Sequence, residues 1–275
     1  MRNLLTGSVV ALAVVFFLPW QIRAQTSQSE PSARYGPADL YQKLGDTGSG
    51  GAAPRRDLTG FWATAAAEKL NEIPPLTPWG QEQFRAHKNQ SDYPVAESND
   101  PLKTCDPLGF PRNILYQVRG VAFVQMPGKM LELFQFNRVW REIWTDGRAL
   151  PKNVGGSAPG TPDPRWYGYS VGRWEDDTTF VIETVGSDER SWLDIVGHPH
   201  SIELRVQERY KRIDHNNLEV AITIDDPKTY TKPFVISNAK FKWIPEQDFE
   251  EQICAPSEML EYLNLLADPA DGDGK

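Results

Sequence analysis

The amino-acid sequence predicts a mainly β fold, a single antiparallel meander that closes into a barrel or a strongly curved half-barrel with short flanking helices. Between residues 169 and 226, short segments of alternating apolar and polar residues are separated by turn-forming residues, which is typical of neighbouring antiparallel strands. Most connections between these segments are too short for the crossovers that parallel strands need. A sheet of about eight or nine consecutive strands usually curls and closes on itself.

The first 24 residues have the features of a signal peptide. Arg2 gives a positive start, residues 4–20 are largely apolar, and residues 22–24 (Ile-Arg-Ala) are typical of a cleavage site. The alternative is an uncleaved membrane anchor, but the apolar stretch is short for a span of about 20 residues, and no second segment reaches that length. We therefore expect a periplasmic or secreted protein with no integral membrane span after cleavage.

Two further regions are predicted after the signal peptide. Residues 25–56 are rich in Ser, Gly, Pro and Ala and can bury little surface, so we expect a flexible linker. Residues 57–275 are expected to form a single β-barrel-like domain. Its opening Gly-x-Trp pattern at residues 60–62 resembles the first strand of lipocalin-like (calycin) barrels, a similarity of fold that implies no function.

The other elements follow from local signals along the chain. Thr77 and Pro78 are typical of the start of a helix, which we expect to run to about residue 88. Residues 89–112 are rich in proline and predict an irregular loop. Ser257 predicts the cap of a short helix that ends near Leu266. Strands are expected at residues 121–125, 130–136, 139–145, 169–174, 179–184, 202–213, 218–224 and 234–244.

Composition argues against one class of partner and favours another. The chain has a net charge of −8 and a pI near 5.1. A nucleic-acid partner is therefore not expected, because it requires a basic face. Hydrophobic residues make up 40% of the sequence, and nine Trp and twelve Phe make the expected interior rich in aromatic side chains. Such an interior favours a small apolar or aromatic ligand.

The two cysteines, Cys105 and Cys254, predict a disulfide, because paired cysteines in exported proteins usually bond. The alternative is two buried free thiols. A bridge across a loop of about 150 residues would stabilise the fold by about 4–5 kcal/mol. Neither cysteine has a Cys or His at the spacing of a metal site.

Glu208 is the first candidate for a functional residue. Strand alternation places it on the mostly apolar face of its strand, together with Val206, Tyr210 and Arg212. A carboxylate on an apolar face is costly unless it is paired or partly hydrated. One interpretation is an ion pair with Arg212. The other is a carboxylate that projects into a cavity with a raised pKa and is available as an acid or base.

Residues 140–144 (Trp-Arg-Glu-Ile-Trp) contain a second candidate. Alternation puts Trp140, Glu142 and Trp144 on one face of a strand, and the sequence leaves open whether that face is inside. On an inner face, Glu142 would be an acid in an apolar slot between two indoles. On an outer face, the tryptophans would serve as exposed cross-strand packing.

The loop at residues 194–201 is a third candidate, since it carries Asp194, His198 and His200 just before a predicted strand. A loop histidine beside a pocket suits general-base chemistry, because its ordinary pKa lies near 6.5. A metal site formed by the histidines with Asp194 or Glu183 is a further alternative, although this spacing is not typical of one. The remaining alternative is that the histidines only hold the loop in place through hydrogen bonds.

Motifs of several enzyme classes are absent from the sequence. There is no GxSxG nucleophile elbow, no GxGxxG typical of dinucleotide binding, no P-loop and no CxxC. A serine-hydrolase triad of that type, hydride transfer and phosphoryl transfer therefore lack their usual signatures. We expect no cofactor and no metal.

Five motifs stand out along the chain. They are CDPLGFPR (residues 105–112), IWTDGR (143–148), WYGYSVGRWE (166–175), SWLDIVGHPHS (191–201) and TIDDPKTYTKP (223–233). As a set they resemble a family of exported bacterial β-rich proteins, and the similarity extends over most of residues 57–254. The resemblance implies export and indicates that the loop from Asp194 to His200 is a family feature, but it implies no catalytic residue.

Two functions remain open from the sequence. In the first, which we favour, an exported barrel binds a small apolar or aromatic molecule in its pocket. In the second, the protein is a cofactor-independent hydrolase, lyase or isomerase in which His200 and Glu208 form an acid–base pair next to Asp194. The candidate ligand-binding residues are Trp140, Glu142, Trp144, Trp166, Tyr169, Trp174, Tyr210 and Arg212.

Overall fold

The structure, a computed structural model, describes residues 48–64, 70–115, 120–245 and 251–267. The predicted signal peptide and most of the predicted linker lie outside these residues. Within these residues, nine strands form a closed barrel in which each strand pairs with the next and the last pairs with the first, so the predicted barrel is confirmed. The strands are β1 (Gly60–Thr64), β2 (Gly120–Met126), β3 (Lys129–Phe134), β4 (Trp140–Trp144), β5 (Tyr169–Trp174), β6 (Thr179–Val185), β7 (Arg205–Arg212), β8 (Asn217–Asp225) and β9 (Phe234–Trp243).

One junction of the barrel departs from the antiparallel meander. β4 and β5 run parallel and are paired at Ile143–Ser170 and Trp144–Val171, whereas the other neighbouring strands are antiparallel. Residues 145–168 carry the chain from the end of β4 back to the start of β5, which is the long crossover that parallel pairing requires. We call this junction the seam.

Short helices flank the barrel. They are α1 (Pro78–Ala86), α2 (Arg112–Leu115) and α3 (Pro256–Tyr262), with 3₁₀ turns at Val95–Glu97 and Pro101–Thr104 and a π turn at Leu263–Ala267. None of the helices in the described parts of the chain is both long and apolar enough to cross a membrane.

The two predicted helix starts have different outcomes. Thr77 caps α1 as predicted, since its hydroxyl oxygen accepts a hydrogen bond from the Gly80 N–H at 3.1 Å. The prediction for Ser257 was wrong, because α3 begins one residue earlier at Pro256 and follows Ala255. A proline at the first helical position needs no partner for an N–H group, and here it begins the helix without a side-chain cap.

Large side chains fill the barrel interior. Alternation along β7 and β8 sends every second side chain inward, as their strictly alternating burial shows. Phe110, from the loop before α2, packs against the inward-facing Phe134 and Arg141. The aromatic interior predicted from composition is therefore a packed core. Its largest fully buried rings belong to Trp62, Phe110, Phe123, Phe180, Tyr210, Tyr230 and Phe241.

The predicted disulfide is present between Cys105 and Cys254, which are 149 positions apart in the chain. It ties the segment that precedes the second strand to the segment that follows the last strand. A second contact holds the segment at Cys254, because the Cys254 N–H donates to the side-chain oxygen of Asn137, between β3 and β4, at 2.6 Å. The bridge thus joins both flanks of the barrel.

Candidate functional site

Glu208 faces the barrel interior and is fully buried, as the strand pattern predicts. Its ion-pair partner is Arg141 on β4, not Arg212 on its own strand. Arg141 also donates from Nε to Glu132 Oε2 at 2.6 Å, and the Tyr210 hydroxyl donates to Glu132 Oε1 at 2.9 Å. The result is a buried cluster of two carboxylates, one guanidinium and one phenol.

Burial and charge oppose each other in this cluster. Burial raises the pKa of Glu208 to about 7, since the nearby Arg141 offsets only part of the desolvation and the neighbouring Glu132 adds repulsion. Burial acts to lower the pKa of Arg141, but the two carboxylates hold it above its usual value. Among the described residues, none donates a hydrogen bond to Glu208 Oε1. Glu208 therefore keeps its proton to a higher pH than an ordinary glutamate does.

Arg212 lies at one end of the barrel, where it binds backbone carbonyl groups and packs on a tryptophan ring. Its guanidinium lies over the indole of Trp62, 4.9 Å from the ring centroid. It donates to the backbone carbonyls of Asp57 at 2.7 Å and His215 at 2.8 Å. The predicted pair between Glu208 and Arg212 does not form. Glu208 pairs with Arg141 inside the barrel, whereas Arg212 binds backbone carbonyls at the barrel end.

The structure shows which face of β4 points outward, a question that the sequence left open. Trp140, Glu142 and Trp144 point outward, and Arg141 and Ile143 point inward. Trp140 is 54% exposed. Glu142 is exposed and pairs with Lys129 on β3 at 2.7 Å. Glu142 is therefore not an acid in an apolar slot, and its ordinary surface ion pair gives it no catalytic environment.

A cleft of about 550 Å³ lies on the outer surface of the barrel along the seam. It takes its walls from β4, from the crossover and from the first half of β5. Its volume falls within the range of small-molecule sites, about 300–1,000 Å³. We call it the seam cleft. Its lining comprises Trp140, Arg141, Glu142, Trp144 and residues 148–151 and 165–171.

Predicted ligand-binding residues converge on the seam cleft. Trp140, Glu142, Trp144, Trp166 and Tyr169 all line it. The sequence analysis predicted a pocket inside the barrel and left open which face of β4 lines it, whereas the cleft that these residues line is on the outside of the barrel. The other three are elsewhere: Tyr210 is in the buried cluster, Arg212 at the barrel end, and Trp174 against Phe180, with 5.1 Å between ring centroids.

Cations stack on the aromatic rings of the seam cleft. The guanidinium carbon of Arg148 lies 3.3 Å from the centroid of Trp144, and Lys129 Nζ lies 4.0 Å from the same ring. Arg165 lies 4.2 Å from the centroid of Tyr169. Each contact combines a ring with a positive group at cation–π distance. The cleft is thus both aromatic and cationic.

Hydrogen bonds connect the floor of the seam cleft to the buried cluster. Ser170 and Arg141 line the cleft. The Ser170 and Thr184 hydroxyl oxygens are 2.8 Å apart, and Arg141 Nη1 donates to Thr184 Oγ1 at 3.3 Å. Arg141 also donates a hydrogen bond from Nη2 to Glu208 Oε2. The guanidinium of Arg141 therefore stands between the cleft and the buried Glu208.

His200 is buried and lies in a separate network. Its Nδ1 is 3.1 Å from the Ser201 carbonyl, so Nδ1 carries a proton and donates, and its Nε2 is 2.9 Å from Ser191 Oγ. Burial lowers the pKa of His200. No hydrogen bond between His200 and Glu208 occurs in the part of the chain that the structure describes. The predicted acid–base pair does not form, and His200 holds its loop instead.

Asp194 pairs with His198 rather than with His200. Its Oδ2 accepts from His198 Nδ1 at 2.6 Å, and its Oδ1 accepts from the backbone N–H groups of Val196, Gly197 and His198 at 2.9–3.1 Å. Burial acts to raise the pKa of Asp194, but these hydrogen bonds bring it below its usual value. Asp194 thus closes the loop on itself.

The structure does not bring the loop histidines together with Asp194 or Glu183 as a metal site. His198 is engaged with Asp194, and Glu183 pairs with Arg173 at 3.1 Å. Within residues 48–64, 70–115, 120–245 and 251–267, no group of three or more His, Cys, Asp or Glu side chains could hold a metal ion.

Sequence reasoning missed Arg141, Glu132 and Arg165. The signal for Glu132 was weak because both faces of β3 are apolar: Met130 and Phe134 share its face, and two leucines occupy the other. The position of Arg141 follows once the tryptophans of β4 are known to face outward. No sequence pattern marks Arg165, which reaches the cleft because the crossover returns to β5.

Comparisons with known proteins add no identification. No protein-family model matches this chain, and a search of the curated proteins found no match. The resemblance of the five motifs to exported bacterial proteins therefore stays a prediction, and the function has to be argued from the site itself.

Proposed function

We propose that this protein binds a small aromatic molecule in the seam cleft. The observation that supports it is the convergence of five aromatic residues, Trp140, Trp144, Trp166, Tyr167 and Tyr169, on one cleft of about 550 Å³. An indole as exposed as that of Trp140, at the rim of such a cleft, offers a face on which a ligand ring can stack.

The proposal includes action outside the cytoplasm. Disulfides form and persist in oxidising compartments, and the bridge between Cys105 and Cys254 links the flanks of this barrel. The predicted signal peptide supports the same compartment. A ligand would therefore be met in the periplasm or in the medium.

An enzymatic function has less support. A cofactor-independent hydrolase, lyase or isomerase needs an acid and a base that reach the same substrate. His200 and Glu208 are both buried and are bound in different networks. Binding therefore remains the function that this arrangement favours.

Thermal stabilisation tests the proposal. The purified protein would be heated with single members of a panel of small aromatic compounds, since a ligand that binds the native state raises its midpoint of unfolding. Trp140→Ala removes the exposed ring of the cleft. Phe61→Ala is the matched control, because Phe61 is an exposed aromatic residue on β1, outside the cleft lining.

The expected result is a stabilisation that Phe61→Ala retains and Trp140→Ala loses. Stabilisation of equal size in both variants would place the ligand elsewhere and contradict the proposal. A panel that stabilises none of the proteins would also count against it.

A further inference from the structure

The charges of the seam cleft differ in sign from those of the whole protein. The chain carries a net charge of −8. The cleft lining contains three arginines, Arg141, Arg148 and Arg165, and one carboxylate, Glu142. A positive cleft on a negative protein concentrates anionic ligands, because the local field rather than the net charge acts at the site.

Two of the three arginines are already neutralised. Arg141 lies between Glu132 and Glu208. Arg148 binds Asp146 through two of its nitrogens, with Nε–Oδ1 at 3.0 Å and Nη2–Oδ2 at 2.6 Å. Glu142, the single carboxylate of the lining, forms an ion pair with Lys129. These ion pairs leave no excess of charge for a ligand.

Arg165 is different, because no carboxylate of the described residues forms an ion pair with it. Its guanidinium lies over the ring of Tyr169. Stacking uses the flat face of a guanidinium, whereas its N–H donors lie in the plane and stay available for an acceptor. Arg165 therefore supplies the unbalanced positive charge of the seam cleft.

The backbone holds Arg165 in position. Its N–H donates to the Gly186 carbonyl at 3.0 Å, and its own carbonyl accepts from the Asp188 N–H at 3.0 Å, which together form a bridge to the end of β6. A donor on a fixed backbone loses less freedom when a ligand binds. The backbone at Arg165 is thus fixed, and stacking on Tyr169 holds the guanidinium at the seam cleft.

We propose that the ligand of the seam cleft is an aromatic carboxylic acid whose ring packs on Trp140 and whose carboxylate binds the guanidinium of Arg165. This inference rests on the proposed binding function and narrows it. A carboxylate matches the planar fork of one guanidinium and carries one charge. A phosphate carries close to two charges and would need a second unbalanced cation.

A pair of probes that differ only in charge tests the proposal. 2-Naphthoate and 2-naphthamide have the same ring and nearly the same shape. Their dissociation constants would be measured by isothermal titration calorimetry in 20 mM salt and again in 300 mM salt. Because a hydrogen bond to a charged group contributes more than a neutral one, naphthoate should bind about tenfold more tightly than naphthamide at low salt.

Variants test whether Arg165 causes the preference for naphthoate over naphthamide. Arg165→Gln should bring the two affinities together, and Arg165→Lys should retain part of the difference because it keeps the charge but not the fork. Arg173→Gln is the control, since Arg173 is an exposed arginine of β5 outside the cleft lining. Higher salt should weaken only the binding of naphthoate.

The outcomes separate this inference from the proposed function. Equal affinities of the two probes in the unchanged protein, both lost in Trp140→Ala, would overturn the aromatic acid and leave aromatic binding intact. A preference for naphthoate that persists in Arg165→Gln would equally overturn the role of Arg165. Binding of neither probe at millimolar concentration would contradict the proposed function and the inference together.

Discussion

Arg141 on β4 reaches across the barrel interior to Glu208 on β7, while also binding Glu132 on the neighbouring strand. The guanidinium of Arg141 thus forms ion pairs with two carboxylates, and all three side chains are buried. With both acids ionised, the cluster would carry a buried charge of −1. A raised pKa of about 7 for Glu208 relieves that charge by retaining a proton.

The stability of the protein should therefore depend on Glu208 between pH 4.5 and 7. The folded pKa lies above the unfolded value of about 4.3, so the native state holds the extra proton in this window. The contribution of Glu208 to stability is largest below pH 4.5 and is lost as pH rises to about 7. Glu208→Gln should remove this loss and be more stable, relative to the unchanged protein, at pH 8 than at pH 5 by about 1–3 kcal/mol.

Urea unfolding at pH 5, 6, 7 and 8 measures this difference. Glu219→Gln is a suitable control, because Glu219 is a half-exposed acid of β8 with a surface partner, Lys240, at 3.3 Å. Parallel pH profiles for Glu208→Gln and the unchanged protein would show that Glu208 is ionised throughout.

Asp194 should be more important for stability than its position in a loop indicates. Asp194→Ala leaves three backbone N–H groups and the His198 ring without their acceptor, and we expect a loss of about 2–4 kcal/mol. Asp194→Asn keeps one side-chain oxygen and should lose less. The midpoint of urea unfolding is the measurement.

An exposed turn provides the comparison for Asp194. Asp176 accepts from the backbone N–H groups of Thr178 and Thr179 at 2.7 Å, in a turn that water reaches. Asp176→Ala should therefore cost clearly less stability than Asp194→Ala, because water can replace the lost acceptor. Equal losses of stability in the two alanine variants would show that burial of the Asp194 loop does not increase the contribution of its hydrogen bonds.

Gly172 should resist substitution because of the seam. A Cβ atom at this inward position would collide with the ring of Phe180 and lie 2.8 Å from Ile143 Cγ2. We expect Gly172→Ala to destabilise the protein by about 1–3 kcal/mol, measured by thermal and urea unfolding. Its cost is steric, since Gly172 has no positive φ.

A second substitution distinguishes crowding from other causes. Phe180→Leu makes room beside Gly172, so the double variant should lose less stability than the sum of the two single variants. Additive losses would indicate that the Phe180 ring is not the obstacle.

Reduction of the disulfide should weaken the whole barrel. Cys105 and Cys254 close a long loop, and loss of a native bridge typically costs about 2–5 kcal/mol. Dithiothreitol should therefore lower the midpoint of thermal unfolding. The double variant Cys105→Ser with Cys254→Ser should unfold at the reduced midpoint and show no response to dithiothreitol. A reduced protein with an unchanged midpoint would contradict a stabilising role.

Much of the barrel could be predicted because strand alternation is a local property. The period of two along β7 assigned Glu208 to the interior without knowledge of any other strand. The same reasoning could not name its partner, since Arg141 is 67 positions away in the chain. Alternation assigns a face, and only the closed sheet determines which residues meet across it.

The seam could not be predicted from the same pattern. Whether β4 and β5 pair as parallel strands depends on the path of residues 145–168, which have no regular periodicity. The number of aromatic residues also does not show which of them pack inside the barrel and which lie on its outer surface. Five of the eight predicted ligand-binding residues line one cleft, and that cleft lies outside the barrel rather than inside it.

The alternation of β4 has an evolutionary consequence. The side chains of Trp140, Glu142 and Trp144 point outward into the cleft, whereas those of Arg141 and Ile143 point inward, although Arg141 also borders the cleft. Because the two sets lie on opposite faces of one strand, substitutions on the outer face can change the chemistry of the cleft without repacking the core. A scaffold of this kind permits the surface of the cleft to diverge among its descendants while the architecture is inherited unchanged.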